Sequence, residues 1–544
     1  MQFPGAGWVQ EMGQKSACGG SFNAAFERSH EVNRNRRWCE RVGAARVIAR
    51  FAAAATMAAL VCGCAVGPDF MAPPPPDAAG YTAGRAPGST VGSDVHGGEP
   101  QRLFKGRDIP GDWWRVFSSR GLMTLTERAL KNNPDLAAAQ AALRVAQANL
   151  AAGKAALFPS IQGEFDASRQ SVGEVIAPST NSGATLFNLY TGQVSVSYTP
   201  DVFGGIRRNI ESLQALSDNQ RFQLEATYLT LTSNIVVAAV QEASLRGQID
   251  ATRSLIKIGS DVLKLLRTQF DAGQIAQSDV VAQEAALAQI EQTLPPLQRQ
   301  LEQQRHLLSA LTGGLPDKEP PEKFTLAGLK LPRNLPVSLP SQLVEQRPDV
   351  RAAEENFHSA SALIGVAVAN RIPNVTLSGN LGSSSLTIGQ LFSPGTGFWT
   401  ITGTVTQPIF DAGLLFQREV AARATFEQTS SQYRSTVVTA FQNVADSLSA
   451  LRNDAVALQK AVVAENAAER SLTIARRRLE LGDINYILVL NAQQTYFQAL
   501  LTRVQAQANR FADTAALFQA LGGGWWNRED RDPPKQYPFI NLTD

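Results

Sequence analysis

Alternating polar and apolar residues mark four short stretches of the chain as amphipathic β-strands. The first runs from Ile161 to Ser168, and the same alternation recurs around Val194 to Tyr198, Val375 to Leu381 and Trp399 to Val405. Side chains of a strand point alternately to its two faces, so each stretch has one apolar and one polar face. The polar positions assigned to one common face are Gln162, Glu164, Asp166, Ser195, Ser197, Thr376, Thr402 and Thr404.

Long helical segments flank the two pairs formed by these strands. A helix is predicted to begin at Pro134, a residue favoured at the first helical position, and to end near Leu157. No proline occurs from Ile206 to Phe270, so one helix of roughly 100 Å is expected at about 1.5 Å per residue. A return helix from about Ser278 to Leu311 follows, and Pro295-Pro296 is predicted to kink or break it. Such lengths are typical of coiled coils or barrel-like assemblies.

The second half of the chain repeats the first. The segment Gln346 to Val350 echoes Asn132 to Leu136 at an offset of 214 residues, and Leu479 to Gly482 echoes Phe270 to Gly273 at an offset of 209. Each half is therefore predicted to contain a short helix, two strands, a long helix and a return helix. The chain divides into residues 1–63 (export signal and upstream extension), 64–111 (N-terminal tether), 112–315 (first repeat), 316–340 (connector), 341–524 (second repeat) and 525–544 (C-terminal tail). The Pro- and Gly-rich stretch from Pro68 to Gly98 is predicted to be an extended tether without a core of its own, and the end of the chain from Gly522 to be loosely ordered.

Four strands with a polar face need partners from other chains. A small soluble sandwich would expose two strand edges, and the helices are too long to cover it. In lipid every backbone group must be paired, which requires a closed sheet of about eight or more strands. Two chains would supply eight strands with a filled interior, and three would supply twelve with a lumen. The sequence therefore predicts an α+β membrane protein whose barrel is shared between chains.

The N-terminal part has the pattern of an export signal. The apolar run Phe51 to Val61 follows several arginines, as in a secretory signal. The sequence Val61-Cys62-Gly63-Cys64 comes next and resembles the lipobox of bacterial lipoproteins, with Cys64 as the acylated residue and Cys62 as the poorer fit; the alternative is a buried cysteine pair. The residues before Phe51 exceed a usual signal, which predicts a translation start downstream of Met1. No cysteine follows Cys64, so a mature chain starting there has no internal disulfide.

Composition and motifs argue against several classes of function. The formal net charge of +2 gives no indication of a nucleic-acid partner. The chain contains no phosphate-binding loop, no dinucleotide fingerprint after a strand and no nucleophile elbow. No cofactor, metal site or catalytic residue is therefore predicted, and the protein is expected not to be an enzyme. The histidines are too scattered to suggest a metal site: His30, His96, His306 and His358.

Taken together, these motifs resemble the outer-membrane efflux proteins, the TolC-like channels, in their NodT-type lipoprotein branch. The resemblance covers about residues 64–524 and rests on the lipobox, the segments Ala65 to Phe70 and Gln346 to Val350, Asp112-Trp113-Trp114, and the stretch from Leu481-Gly482 to Ala492-Gln493. It implies a homotrimer with a 12-stranded outer-membrane β-barrel continued by a long periplasmic α-helical barrel. It also implies a passive palmitoylated lipoprotein channel for efflux and multidrug resistance, which works with a periplasmic adaptor and an inner-membrane pump of the RND type.

The resemblance places the periplasmic aperture at the turns containing Gly273 and Gly482. Many members have an acid and a basic residue where this chain has Asn491 and Gln494, which argues against a salt-bridged lock there. Asp279 would then supply an acidic ring, or is a solvated acid at a helix start. An apolar constriction formed by Tyr486 and Leu488 is the other possibility.

Two further functions share some of these features. A duct for type I protein secretion would have the same fold, and only the lipobox favours efflux over it, by resemblance. A periplasmic adaptor lipoprotein would also combine a lipid anchor with helical hairpins. It would, however, carry one hairpin within β-rich domains, whereas this chain has two hairpins with paired strands.

Overall fold

A computed structural model describes residues 65–82, 88–171, 173 and 185–528 of the chain. The export signal and the predicted acylation site Cys64 lie outside these residues, as does the tail from residue 529. No described helix is long and apolar enough to cross a membrane.

The order of elements follows the predicted repeat. The first half contains β1 (Arg102–Lys105), α1 (Arg120–Asn132), α2 (Pro134–Ala155), β2 (Ser160–Ser171), β3 (Leu186–Tyr198), α3 (Gly205–Asp271), α4 (Gln277–Glu291) and α5 (Leu294–Leu311). The second contains β4 (Asn334–Val337), α6 (Pro340–Gln346), α7 (Pro348–Ala369), β5 (Asn374–Ser385), β6 (Gly397–Thr406), α8 (Leu414–Glu480) and α9 (Tyr486–Ala520). Helices α2 and α7 each have 22 residues, and α3 and α8 each have 67, so these two pairs of corresponding helices have equal lengths in both halves.

Local chemistry explains where these helices begin and break. The side chain of Asn133 accepts hydrogen bonds from the backbone N–H groups of Asp135 and Leu136, at 2.9 and 3.0 Å, and so caps α2. The carboxylates of Asp201 and Asp411 accept backbone N–H groups at the starts of α3 and α8 in the same way. The return helix of the first half breaks between α4 and α5, at the predicted Pro295-Pro296, because prolines are tolerated only in the first turn of a helix.

The four long strands form one antiparallel sheet in the order β2-β3-β5-β6. The register aligns Gln162 with Ser195, Ser195 with Asn380, and Asn380 with Thr400. The adjacent row contains Ile161, Val196, Gly379 and Ile401. Since adjacent rows face opposite sides of a sheet, the sheet has one polar and one apolar face, as the alternation predicts.

Helix α3 is the central support of the helical part. It packs against α2, α4, α5, α7 and α9, while α8 packs against α7 and α9. The largest core lies where α3 and α9 meet the segment before α1. Its fully buried side chains include Trp113, Phe117, Ile235, Phe511 and Phe518.

Two segments expected to lack a core are instead packed. Residues 88–105, here termed the strap, include the buried Thr90 and Gln101 and end in β1. Strand β1 pairs in parallel with β4 of the connector, so both the tether (64–111) and the connector (316–340) contribute to the fold. The prediction of a coreless tether was therefore wrong for the strap. The backbone groups of β1 in the strap pair with β4, more than 200 residues away. The composition of the tether gives no indication of such pairing.

The start of the C-terminal tail is also packed, although a loose end was predicted from Gly522. The indole N–H of Trp525 donates to the Gln346 carbonyl at 2.7 Å, and its ring contacts Phe222 edge to face. Residues 522–524 are therefore buried, and residues 525–528 pack against the folded part of the chain.

Candidate channel lining and aperture

The predicted polar face is a continuous surface of the sheet. The register aligns Ser197 with Ser378 and Ser378 with Thr402, and Thr376 with Thr404. Glu164 accepts a hydrogen bond of 2.8 Å from the side chain of its cross-strand neighbour Gln193. All eight selected residues thus lie on one face. Within the described strands, the only charged side chains on this face are Glu164 and Asp166.

The opposite face of the sheet exposes large apolar side chains. Trp399 is 72% exposed and Ile401 is 80% exposed in the single chain. Ile161, Phe165, Leu381 and Val405 are also exposed on this face. Apolar surface costs about 25 cal/mol per Å² in water, and a contiguous exposed patch marks a contact with lipid or another protein. This face therefore suits a hydrocarbon environment.

Both edges of the sheet are open in the single chain. Within the described residues β2 pairs only with β3, and β6 only with β5. Each edge strand presents unpaired backbone N–H and C=O groups, which can pair with an edge of another copy.

The ends of the two helical hairpins share one small core. The chain reverses at Gly273, with φ +70°, and at Gly482, with φ +71°, a conformation that glycine adopts without steric cost. Behind these turns, buried apolar side chains of both hairpins pack together: Val262, Leu263, Leu266, Val280, Leu472, Leu479, Tyr486, Val489 and Ala492. The two turns are therefore held side by side.

The four predicted aperture residues do not share one environment. Leu488 is 53% exposed, Asn491 is exposed and Asp279 is half-buried. Tyr486 is only 3% exposed, since it lies in the core between the hairpins. The structure thus brings Tyr486 to the inside of the hairpin interface, and leaves Leu488 and Asn491 on the surface.

Tyr486 connects the two repeats through a residue that the sequence did not single out. Its hydroxyl donates to Oε1 of the buried Gln283 on α4, and Nε2 of Gln283 donates to the Gly259 carbonyl at 2.8 Å. Burial, together with the nearby Asp279 carboxylate, raises the pKa of the Tyr486 phenol above its usual range, so it remains a neutral donor. Gln283 and Tyr486 are 203 residues apart in the sequence, so no local sequence pattern indicates their contact.

The residues that follow Cys64 are fixed beside the sheet end of α3. The Val66 N–H donates to the Phe203 carbonyl at 3.1 Å. The guanidinium of the buried Arg208 donates to the Val66 carbonyl at 3.1 Å and pairs with Asp69 at 2.6 Å. Arg208 thereby holds residues 66–69 where β3 passes into α3. The sequence did not single out Arg208 for this role.

Comparison with known proteins agrees with this geometry. Residues 125–314 and 339–523 match the family described as outer membrane efflux protein. The pyoverdine export outer membrane protein OpmQ of Pseudomonas putida is 30% identical over 76% of this chain and 88% of its own length. The toluene efflux pump outer membrane protein TtgF, from another strain of the same species, is 29% identical over 86% of this chain and 95% of its own. The crystal structure of the outer membrane protein VceC of Vibrio cholerae superposes with a TM-score of 0.72 at 25% identity, over 77% of this chain and all of that one.

Proposed function

The chain belongs to the outer membrane efflux protein family, and we propose that it forms the outer-membrane channel of a tripartite efflux system. The observation that carries this proposal is the sheet whose register separates a polar face from an exposed apolar face. A polar lumen in contact with water and an apolar wall in contact with lipid would use both faces. The relatives' names include pyoverdine export and toluene efflux, so the cargo class proposed here is drugs and other small molecules.

The channel is a trimer in this proposal, because a four-stranded sheet with two open edges has to close with other copies. Three copies give twelve strands, enough to enclose a lumen. The polar face of the sheet, which contains Gln162, Ser195 and Thr402 together with Glu164 and Asp166, would then line it.

An exposed apolar stripe on α8 supports this closure. The side chains of Val420, Val438, Val456 and Ile474 follow one another at intervals of 18 residues. Since 18 residues make about five whole helical turns, all four lie on one line along the helix, and Val463 lies close to the same line. All five are exposed in the single chain. The helices at the other side of the chain also expose apolar residues, among them Val145 on α2, Val281 on α4 and Leu307 on α5. Two different apolar surfaces on one subunit can pair head to tail between copies, as in a closed ring.

The lipid anchor is proposed at Cys64. The next residues, up to Asp69, are held by Arg208 at the sheet end of α3, so an acyl chain on Cys64 would start near the inner border of the bilayer. One acyl group binds a membrane weakly, and the barrel would supply most of the membrane affinity.

The aperture is proposed at the hairpin turns. Leu488 and Asn491 face outward from the single chain and would border the opening, with Asp279 beside them. Tyr486 would set the distance between the hairpins through Gln283. The channel would be passive, driven by an RND-type inner-membrane pump through a periplasmic adaptor.

An efflux assay in cells tests this function. Deletion of the gene should raise the retention of a fluorescent small-molecule efflux substrate, and complementation should restore export. If retention of small molecules stays unchanged while secretion of a protein is lost, the protein is a secretion duct and the proposal fails.

A further inference from the structure

A buried polar cluster lies where the strap (residues 88–105) crosses α8 and α9. Arg510 on α9 has no exposed surface, and its Nη2 donates to the Glu99 carbonyl at 3.1 Å and to Oε1 of Gln101 at 2.9 Å. Gln507, one turn earlier, donates to the His96 carbonyl at 2.7 Å. In addition to the pairing of β1 with β4, the strap is thus attached to α9 by polar side chains of that helix.

Two carboxyl groups meet beside these attachments. Asp513 on α9 lies within hydrogen-bonding reach of Asp454 on α8. Ionised carboxylates only accept hydrogen bonds, so two of them can bond to each other only when one holds a proton. Oδ2 of Asp513 is buried and has no other partner in the described structure. The geometry therefore calls for one shared proton between the two helices.

The surrounding charges do not neutralise the pair. Arg510 directs Nη2 to the strap, and its Nε and Nη1 are buried without a hydrogen-bond partner among the described residues. The strap contributes Glu99, whose Oε2 is also buried without a partner there. Asp454, Asp513 and Glu99 thus face one guanidinium, and a fully ionised cluster would carry excess negative charge in a region of low dielectric constant.

The proton uptake has a definite direction with pH. Burial and the neighbouring Asp454 raise the pKa of Asp513 to about 7, against the lowering effect of Arg510. Separated carboxyls release this proton near their ordinary pKa of about 3.9. The packed arrangement is thus favoured fully at low pH, and this contribution is lost progressively as the pH rises to about 7.

We propose that Asp454 and Asp513 form a proton-dependent latch that holds α8, α9 and the strap together. With the shared proton present, the two helices stay in contact and Arg510 retains the strap. Without it, repulsion separates the carboxylates and loosens the strap. This inference goes beyond conduction, because it concerns how pH controls the packing of α8 against α9, the hairpin whose turn contains Gly482.

Hydrogen–deuterium exchange of the full-length assembly in detergent, between about pH 5.5 and 7, tests the latch. After correction for intrinsic exchange, protection of strap peptides should fall with rising pH, by at most about tenfold per pH unit for one linked proton. Asp513→Asn, which replaces the acid by a neutral donor, should retain protection and abolish the pH dependence. Asp250→Asn on α3, at a side chain 75% exposed, is the matched control and should behave as wild type.

A folding control, a second variant and infrared spectroscopy complete the test of the latch. Peptides around Ile235 in the α3 core report whether each variant is folded, and Asp454→Asn provides a second route to the same result. Infrared spectroscopy should detect a protonated carboxyl band at pH 6 that both variants lose. A strap whose protection does not depend on pH, a pH dependence that survives both substitutions, or absence of that band overturns the latch.

Discussion

The apolar stripe on α8 gives a prediction that separates assembly from folding. Val438 is 67% exposed in the single chain, so shortening it should leave the fold of each subunit unchanged. In the ring, Val438→Ala would remove about two methyl groups from each interface, at about 0.8 kcal/mol per buried carbon. Since one third of the side chain is already buried, the loss is about 1 kcal/mol per interface and about 3 kcal/mol for the three interfaces of a trimer.

This loss can be read from the concentration at which the trimer dissociates. A change of about 3 kcal/mol is roughly a hundredfold in the trimerisation constant. Because that constant depends on the square of the monomer concentration at the midpoint, the midpoint should rise roughly tenfold. Mass photometry in detergent over a dilution series measures it, and Val438→Ala combined with Val463→Ala should roughly double the loss in free energy.

The matched control is Thr439→Ala. Thr439 is exposed on the same helix but lies about 100° around the axis from Val438, off the stripe. It should dissociate at the wild-type concentration. If Val438→Ala and Thr439→Ala have the same midpoint, or if Val438→Ala lowers the unfolding temperature of the monomer, the assignment of this stripe to the subunit interface is refuted.

Three other predictions address the lining, the aperture and the anchor. Glu164→Gln combined with Asp166→Asn removes the two charges of the described polar face and should shift the reversal potential in a salt gradient toward that of an unselective pore; an unchanged potential would show that these carboxylates do not face the ion path. Tyr486→Phe removes the donor to Gln283 at an expected cost of about 1–3 kcal/mol for the buried amide left unpaired, and should raise the open probability in single-channel recordings, whereas Tyr496→Phe, higher on α9, should not. Cys64→Ser should abolish labelling by radioactive palmitate but leave the protein in the outer-membrane fraction, because the strands insert independently; loss of the protein from that fraction would show that the lipid is essential for insertion.

Local patterns explain which parts of this fold the sequence could predict. Alternation identifies β2, β3, β5 and β6 because each strand has one polar and one apolar face, and a one-residue slip would exchange them. The repeat was visible because capping and turn residues have to recur at equivalent positions, as Pro134 and Pro348 do. Each of these signals is contained within a few neighbouring residues of the chain.

The features that were missed depend on contacts between distant parts of the chain. The pairing of β1 with β4 joins residues more than 200 positions apart, in segments whose composition resembles a flexible linker. The burial of Tyr486 and the role of Gln283 follow from how the two hairpins pack. The meeting of Asp454 and Asp513 depends on the alignment of α8 with α9. None of these contacts has a local periodicity by which it could be recognised.

The most direct test of the account is to measure the mass of the purified assembly in detergent and its conductance in a planar bilayer. The account predicts a mass of three chains and discrete conductance steps after insertion, even if openings are brief. A monomer that stays in solution after removal of the lipid and carries no current would contradict it.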